Sequence, residues 1–121
     1  MTMPLETTGP ALDVICLCAA WCGNCRDYQP LFDSLQVRFQ GTARFAWIDI
    51  EDESEVLGDV EVENFPTLLL LRGHTVLYFG PLTPQAGVLT QLMQTALEGR
   101  LAPVPDPSSI SLAARVRRWL G

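Results

Sequence analysis

This 121-residue chain contains no lysine: its eight basic residues are all arginines, against fourteen acidic ones, for a formal net charge of −6. A surface of that sign argues against nucleic-acid binding, which draws its affinity from counterions released by basic side chains. Histidine is almost as scarce. His74, the only one, falls in a stretch that reads as a turn, far along the chain from every cysteine, and is given no catalytic role. No apolar run approaches the roughly 20 residues needed to span a bilayer. The start, Met1 to Glu6, lacks the charged region and apolar segment of a secretory signal, so the expected location is the cytoplasm. Cysteines are missing from most of the chain: Cys16, Cys18, Cys22 and Cys25 all fall within ten residues. A secreted, disulfide-stapled fold would spread them out. Their clustering leaves redox chemistry or metal binding.

The length suits one domain with a modest core. Residues 1–9 read as an entry arm. Leu12 to Cys18 is an almost continuous apolar run, as expected of a strand covered on both faces. From Cys22 to about Gln40 the pattern is helical, with Leu31, Leu35 and Phe39 on one face, Phe32 beside them, and Pro30 as a kink. Arg44 to Ile50 is a second strand. Asp49 to Glu63 holds eight acidic residues and no basic one; Val56, Leu57 and Val60 predict a short helix there. Thr67 to Leu71 and Thr75 to Phe79 form a hairpin about Arg72-Gly73-His74. Thr83-Pro84 reads as the capped start of a helix whose apolar face is Val88, Leu89, Leu92, Met93 and Leu97, with Gly99 as its stop. Residues 10–99 would form the domain, and 100–121 a proline-rich linker and an amphipathic helix. In that helix Leu112, Val116 and Trp119 share one side, with Arg115, Arg117 and Arg118 on or near the polar side. Docking on its own domain is the expectation, ahead of a partner or an anionic membrane surface.

The run Trp21-Cys22-Gly23-Asn24-Cys25 joins the first strand to the first helix. A thiol at a helix start is favoured as thiolate by the unpaired backbone N–H groups. The thiolate attacks disulfides, and a second cysteine one turn later can expel the mixed disulfide so formed.

Taken with Pro30, the Phe65-Pro66-Thr67 segment, Phe79-Gly80 and the final helix, this run resembles the thioredoxin family over about residues 10–99. The resemblance implies an α/β thioredoxin-like fold: a central mixed sheet of about four strands in the order 2-1-3-4, flanked by helices. The N-terminus is shorter than usual in the family, and a helix is added at the C-terminus. The activity implied is thiol–disulfide exchange, with Cys22 as nucleophile and Cys25 as resolving thiol. Pro66 would be cis and packed against the pair. Trp21, Gly23, Asn24, Phe65, Pro66 and Gly80 would form the substrate surface. The expected substrates are protein or peptide disulfides, with a reductase or other redox protein as electron source, no bound cofactor, no metal and a monomeric chain.

Three residues depart from the family. Asn24 stands where proline is usual. Cys16 replaces the buried aspartate that takes the resolving thiol's proton, and Trp47 replaces the lysine that aspartate usually pairs with. Asp49 or Glu53 could substitute as base. The departures keep a second reading in view, an interaction module with weak or no catalysis. A third is a metal-binding protein using all four cysteines, although an extended strand is a poor metal knuckle. The short N-terminus would also leave residues 44–50 as an apolar sheet edge, which the arm or the tail is expected to cover.

Overall fold

A single apolar strand organises the architecture. The computed structural model describes residues 12–19, 23–58, 60, 62, 66–83 and 85–120, with the backbone alone at Asn24 and Ala86. Strand β1 (Leu12–Cys18) is buried along its whole length. It pairs in parallel with β2 (Ala43–Asp49) and antiparallel with β3 (Thr67–Arg72), and β3 pairs antiparallel with β4 (Thr75–Pro81). The resulting order, β2-β1-β3-β4, is the mixed four-stranded sheet expected from the sequence. Gly73, at φ 63°, permits the tight turn between β3 and β4.

Alternation along β1 divides the core in two. Leu12, Val14, Cys16 and Cys18 face helices α1 (Gly23–Arg38) and α3 (Ala86–Leu97). Ile15 and Leu17 face the other way, toward α2 (Ser54–Leu57) and α4 (Pro107–Leu120). A strand with helices on both faces is apolar at nearly every position, which explains the almost continuous run, broken only by the ion-paired Asp13.

The buried stripe of α1 is Cys25, Tyr28, Phe32 and Leu35, while Leu31 and Phe39 lie at its half-buried margin. That rotates the inward face from the expected one and brings a tyrosine into the core. The helix runs through Pro30 without a break. Helix α3 begins at Ala86, later than Thr83-Pro84 suggested. Its flanking residue is Gln85, in extended conformation with no side-chain cap bond. Pro84 lies outside the described residues. At the other end Gly99, at φ 77°, and the Arg100 N–H bond to the Thr95 carbonyl (3.0 Å) close the helix as its sequence implied.

Helix α4 docks on its own domain. Leu112, Ala113 and Val116 are buried against Ile15, Leu17, Leu69, Leu71 and Val76. Trp119 is not part of that contact: it is 40% exposed, and its indole N–H donates to Glu53 Oε1 at 3.0 Å. Two of its three arginines, Arg115 and Arg117, fasten the helix to the domain, while Arg118 is exposed. Arg115 donates to the carbonyls of Val56 and Leu57, both at 2.7 Å, at the end of α2. Arg117 donates to Asp13 Oδ2 at 2.6 Å and to the Gly73 carbonyl. Asp13, buried at the start of β1, also accepts from Arg44 of β2 at 2.8 Å. Among the described residues the β2 edge has no strand neighbour; the tail covers a sheet face instead. The entry arm lies outside the described residues.

Candidate active site

The end of β1 and the start of α1 bring the cysteines together. Cys18 is the last residue of β1, and Cys25 sits in the first turn of α1. Helical periodicity puts Cys25 on the same inward face as Tyr28 and Phe32, so its side chain is turned to the sheet and is 1% exposed. There it is disulfide-paired with Cys18, with the Cα atoms 5.8 Å apart. Cys16, two residues earlier on the same strand face, places its sulfur 3.3 Å from that of Cys18. Three of the four cysteines therefore share one apolar pocket.

Among the described residues, no carboxylate takes the place of the aspartate that Cys16 is expected to replace. Cys16 is fully buried, and burial pushes its thiol well above the ordinary range. Tyr28 is buried as well, and its hydroxyl has no hydrogen-bond partner among the described residues. Burial, and secondarily the charge that Cys16 would carry, push the Tyr28 phenol up in the same direction. Trp47 is the register partner of Cys16 on β2 and packs edge-on against Phe32, with centroids 5.6 Å apart. The two substituted positions thus meet across one strand pair, as the aspartate and lysine of the family would. The proposed substitutes are engaged elsewhere. Asp49 accepts the backbone N–H groups of Glu51 (2.9 Å) and Asp52 (3.3 Å), and Glu53 accepts the Trp119 indole.

Of the remaining expected site residues, Trp21, Cys22 and Phe65 lie outside the described residues, and Asn24 is described by its backbone alone. Gly23 is exposed at the start of α1. Pro66 is buried just before β3, and its carbonyl accepts the Leu82 N–H at 3.3 Å. Gly80, in β4 two register positions from Leu70, lies opposite Leu68. A Cβ there would come within 3.3 Å of the Tyr78 hydroxyl. Tyr28 was the feature sequence patterning did not bring forward, whereas the nearness of Cys18 to the motif in the chain had already allowed a disulfide with it. The i, i+3 spacing of Cys25 and Tyr28 was the available signal. Among the described residues no group of three or more His, Cys, Asp or Glu side chains is placed to hold a metal ion. None of the helices is long and apolar enough to cross a membrane, again among the described residues.

A family model of thioredoxin matches residues 10–88. Thioredoxin H2-2 of Oryza sativa subsp. japonica is 42% identical over 62 residues, which cover 51% of this chain and 46% of that protein. Thioredoxin of Homo sapiens is 33% identical over 68 residues, covering 56% of this chain and 64% of its own. The chain thus spans about half the length of the rice relative and under two thirds of the human one. Among solved structures, the germline-specific thioredoxin Deadhead of Drosophila melanogaster superposes with a TM-score of 0.65 at 25% identity. That match covers 75% of this chain and 86% of Deadhead.

Proposed function

Because the chain belongs to the thioredoxin family, we propose that it is a thiol–disulfide oxidoreductase acting on protein or peptide disulfides through Cys22 and Cys25. The Cys22 thiolate attacks one sulfur of a substrate disulfide, forming a mixed disulfide and releasing the other sulfur as thiolate. Cys25 then attacks Cys22, the substrate leaves with both sulfurs reduced, and Cys22–Cys25 carries the oxidation. Running the same steps backward oxidises a dithiol substrate. The observation that supports this best is the position of Cys25, buried in the first turn of α1, where a resolving thiol would stand. Pro66, in cis, with Trp21, Gly23, Asn24, Phe65 and Gly80, would form the shallow surface that receives the substrate segment. A flavin-dependent reductase or another redox protein would return the electrons. The protein would work as a monomer in the cytoplasm.

Insulin reduction with dithiothreitol as electron donor tests this reading. Cys22→Ser should reduce the catalysed rate at least about tenfold, because the attacking thiolate is gone. A rate that survives the substitution overturns the assignment. One observation favours a second reading, a module that binds partners with little catalysis: among the described residues, a neutral buried thiol, Cys16, and no carboxylate stands beside the Cys18–Cys25 pair. That reading predicts no catalysed insulin reduction even in the unsubstituted protein.

A further inference from the structure

We propose that Cys18 is a third redox-active cysteine, an alternative partner for Cys25 whose disulfide with it leaves Cys22 as a single free thiol. The idea goes beyond the Cys22–Cys25 reading and rests on it only for the bond that is exchanged. Its basis is the geometry at the junction of β1 and α1. Cys18 and Cys25 are paired with Cα atoms 5.8 Å apart, at the separation most common for disulfides. Neither has to leave its element to meet the other: Cys18 ends the strand, and Cys25 is on the face of α1 that the helix buries against it. The loop the bond closes is only seven residues in sequence separation, so little chain entropy opposes it.

Cys16 gives this pairing a polar neighbour in an otherwise apolar pocket. Its sulfur lies 3.3 Å from that of Cys18. With Cys18 in the disulfide, Cys16 is the one that still carries a proton, so its S–H donates. The same S–H is placed to donate to a Cys18 thiolate when the bond opens, and burial keeps Cys16 protonated for that role. Cys16 is a positioning residue; Cys18 is one of the reacting atoms.

The exchange needs no outside oxidant. Cys18, as thiolate, attacks the Cys25 sulfur of the Cys22–Cys25 disulfide. The Cys18–Cys25 bond forms, the Cys22–Cys25 bond breaks, and Cys22 takes the electron pair and the proton that Cys18 gave up. One disulfide replaces another, and the oxidation state of the chain is unchanged. The function of the protein does change. With Cys25 engaged by Cys18, no resolving thiol is available to Cys22, so any mixed disulfide on Cys22 is released only by an external thiol.

All four cysteines precede Arg26, the first basic residue, so trypsin leaves them in one peptide; cleavage after Trp21 separates Cys16 and Cys18 from Cys22 and Cys25. The full-length protein is equilibrated with glutathione disulfide, acid-quenched, alkylated with N-ethylmaleimide, cut with chymotrypsin and examined by mass spectrometry. The expected product is a cross-linked peptide pair joined through Cys18 and Cys25, with Cys16 and Cys22 alkylated. In Cys22→Ser, oxidation should still remove about two thiols per chain, and adding Cys18→Ala should abolish that loss. Three thiols persisting in oxidised Cys22→Ser, or a cross-link through Cys16 instead, overturns the proposal whether or not the double variant folds. Insulin reduction that depends on Cys22 without any Cys18–Cys25 cross-link counts against Cys18 alone. A Cys18–Cys25 cross-link in a protein that reduces no insulin counts against the catalytic reading alone.

Discussion

Cys16 and Tyr28 meet in the apolar layer between β1 and α1, and neither can ionise there without losing its hydration. Cys16 has an ordinary value of 9.0 and Tyr28 of 10.0, and burial raises both. The sign of the stability effect follows from proton binding. Below pH 9.0 folded and unfolded chains both hold the Cys16 proton, and its contribution to stability is whole. Above that, the unfolded chain loses the proton while the folded one keeps it, so stability falls as pH rises, by up to about 1.4 kcal/mol per pH unit for one group. Tyr28 adds its share above pH 10.0. Urea unfolding of the oxidised protein at a series of pH values should show this decline, with a shallower slope between pH 9 and 10 in Cys16→Ala. Equal slopes in the two proteins would mean that Cys16 is not held neutral by its surroundings. The apolar run in the sequence already placed Cys16 on a strand covered on both faces, and it is buried there. That a tyrosine hydroxyl would lie buried nearby with no partner among the described residues depended on the rotation of α1, which apolar patterning misjudged.

At the scale of elements, α2 shows how a four-residue helix is held. It has no side-chain cap at its start. At its end Gly58 adopts φ 60°, and the guanidinium of Arg115 from α4 takes the carbonyls of Val56 and Leu57. A cation on the last carbonyls of a helix satisfies acceptors the helix itself cannot. The arginine fits because Gly58 has no side chain: a Cβ there would lie 2.8 Å from Arg115 Cζ. Gly58→Ala should therefore cost about 1–2 kcal/mol from left-handed strain alone. It should also displace Arg115, seen as a lowered Tm together with faster amide exchange in residues 107–120. A lowered Tm with unchanged exchange in α4 would confine the effect to the turn. Sequence reading found this short helix from Val56 and Leu57, and the tail helix from its own stripe. It could not pair them, because Gly58 and Arg115 are 57 positions apart and neither signals the other.

For the molecule as a whole, α4 supplies the second helical layer over the face of the sheet formed by Ile15, Leu17, Leu69, Leu71 and Val76. Its registration depends on Asp13. That carboxylate, 4% exposed, binds Arg44 of β2 and Arg117 of α4 and so ties strand, edge strand and tail together. Arg117 is the more sheltered of the two partners, so its bond carries more of the coupling than the Arg44 pair, which solvent screens. Removing one member of such a buried set leaves charge without a partner. Asp13→Ala should lower stability by about 3 kcal/mol and loosen α4, detectable as increased binding of a hydrophobic dye. Stability within about 0.5 kcal/mol of the parent would show that the docking is apolar alone.

What the sequence determined by itself was whatever is local or periodic. An almost continuous apolar run pointed to a strand covered on both faces, and the family resemblance its motifs carried implied the order β2-β1-β3-β4 that the sheet shows. The Trp21 to Cys25 motif, Pro66 and Gly80 marked one family. The tertiary structure decided what lies across space. It set which face of α1 turned inward, sent Arg115 and Arg117 to the domain rather than to solvent, and gave Cys25 the partner Cys18. These outcomes depend on side chains meeting at distances of a few ångströms between segments far apart in the chain, or between a strand end and a helix face whose rotation no period reports to within one residue.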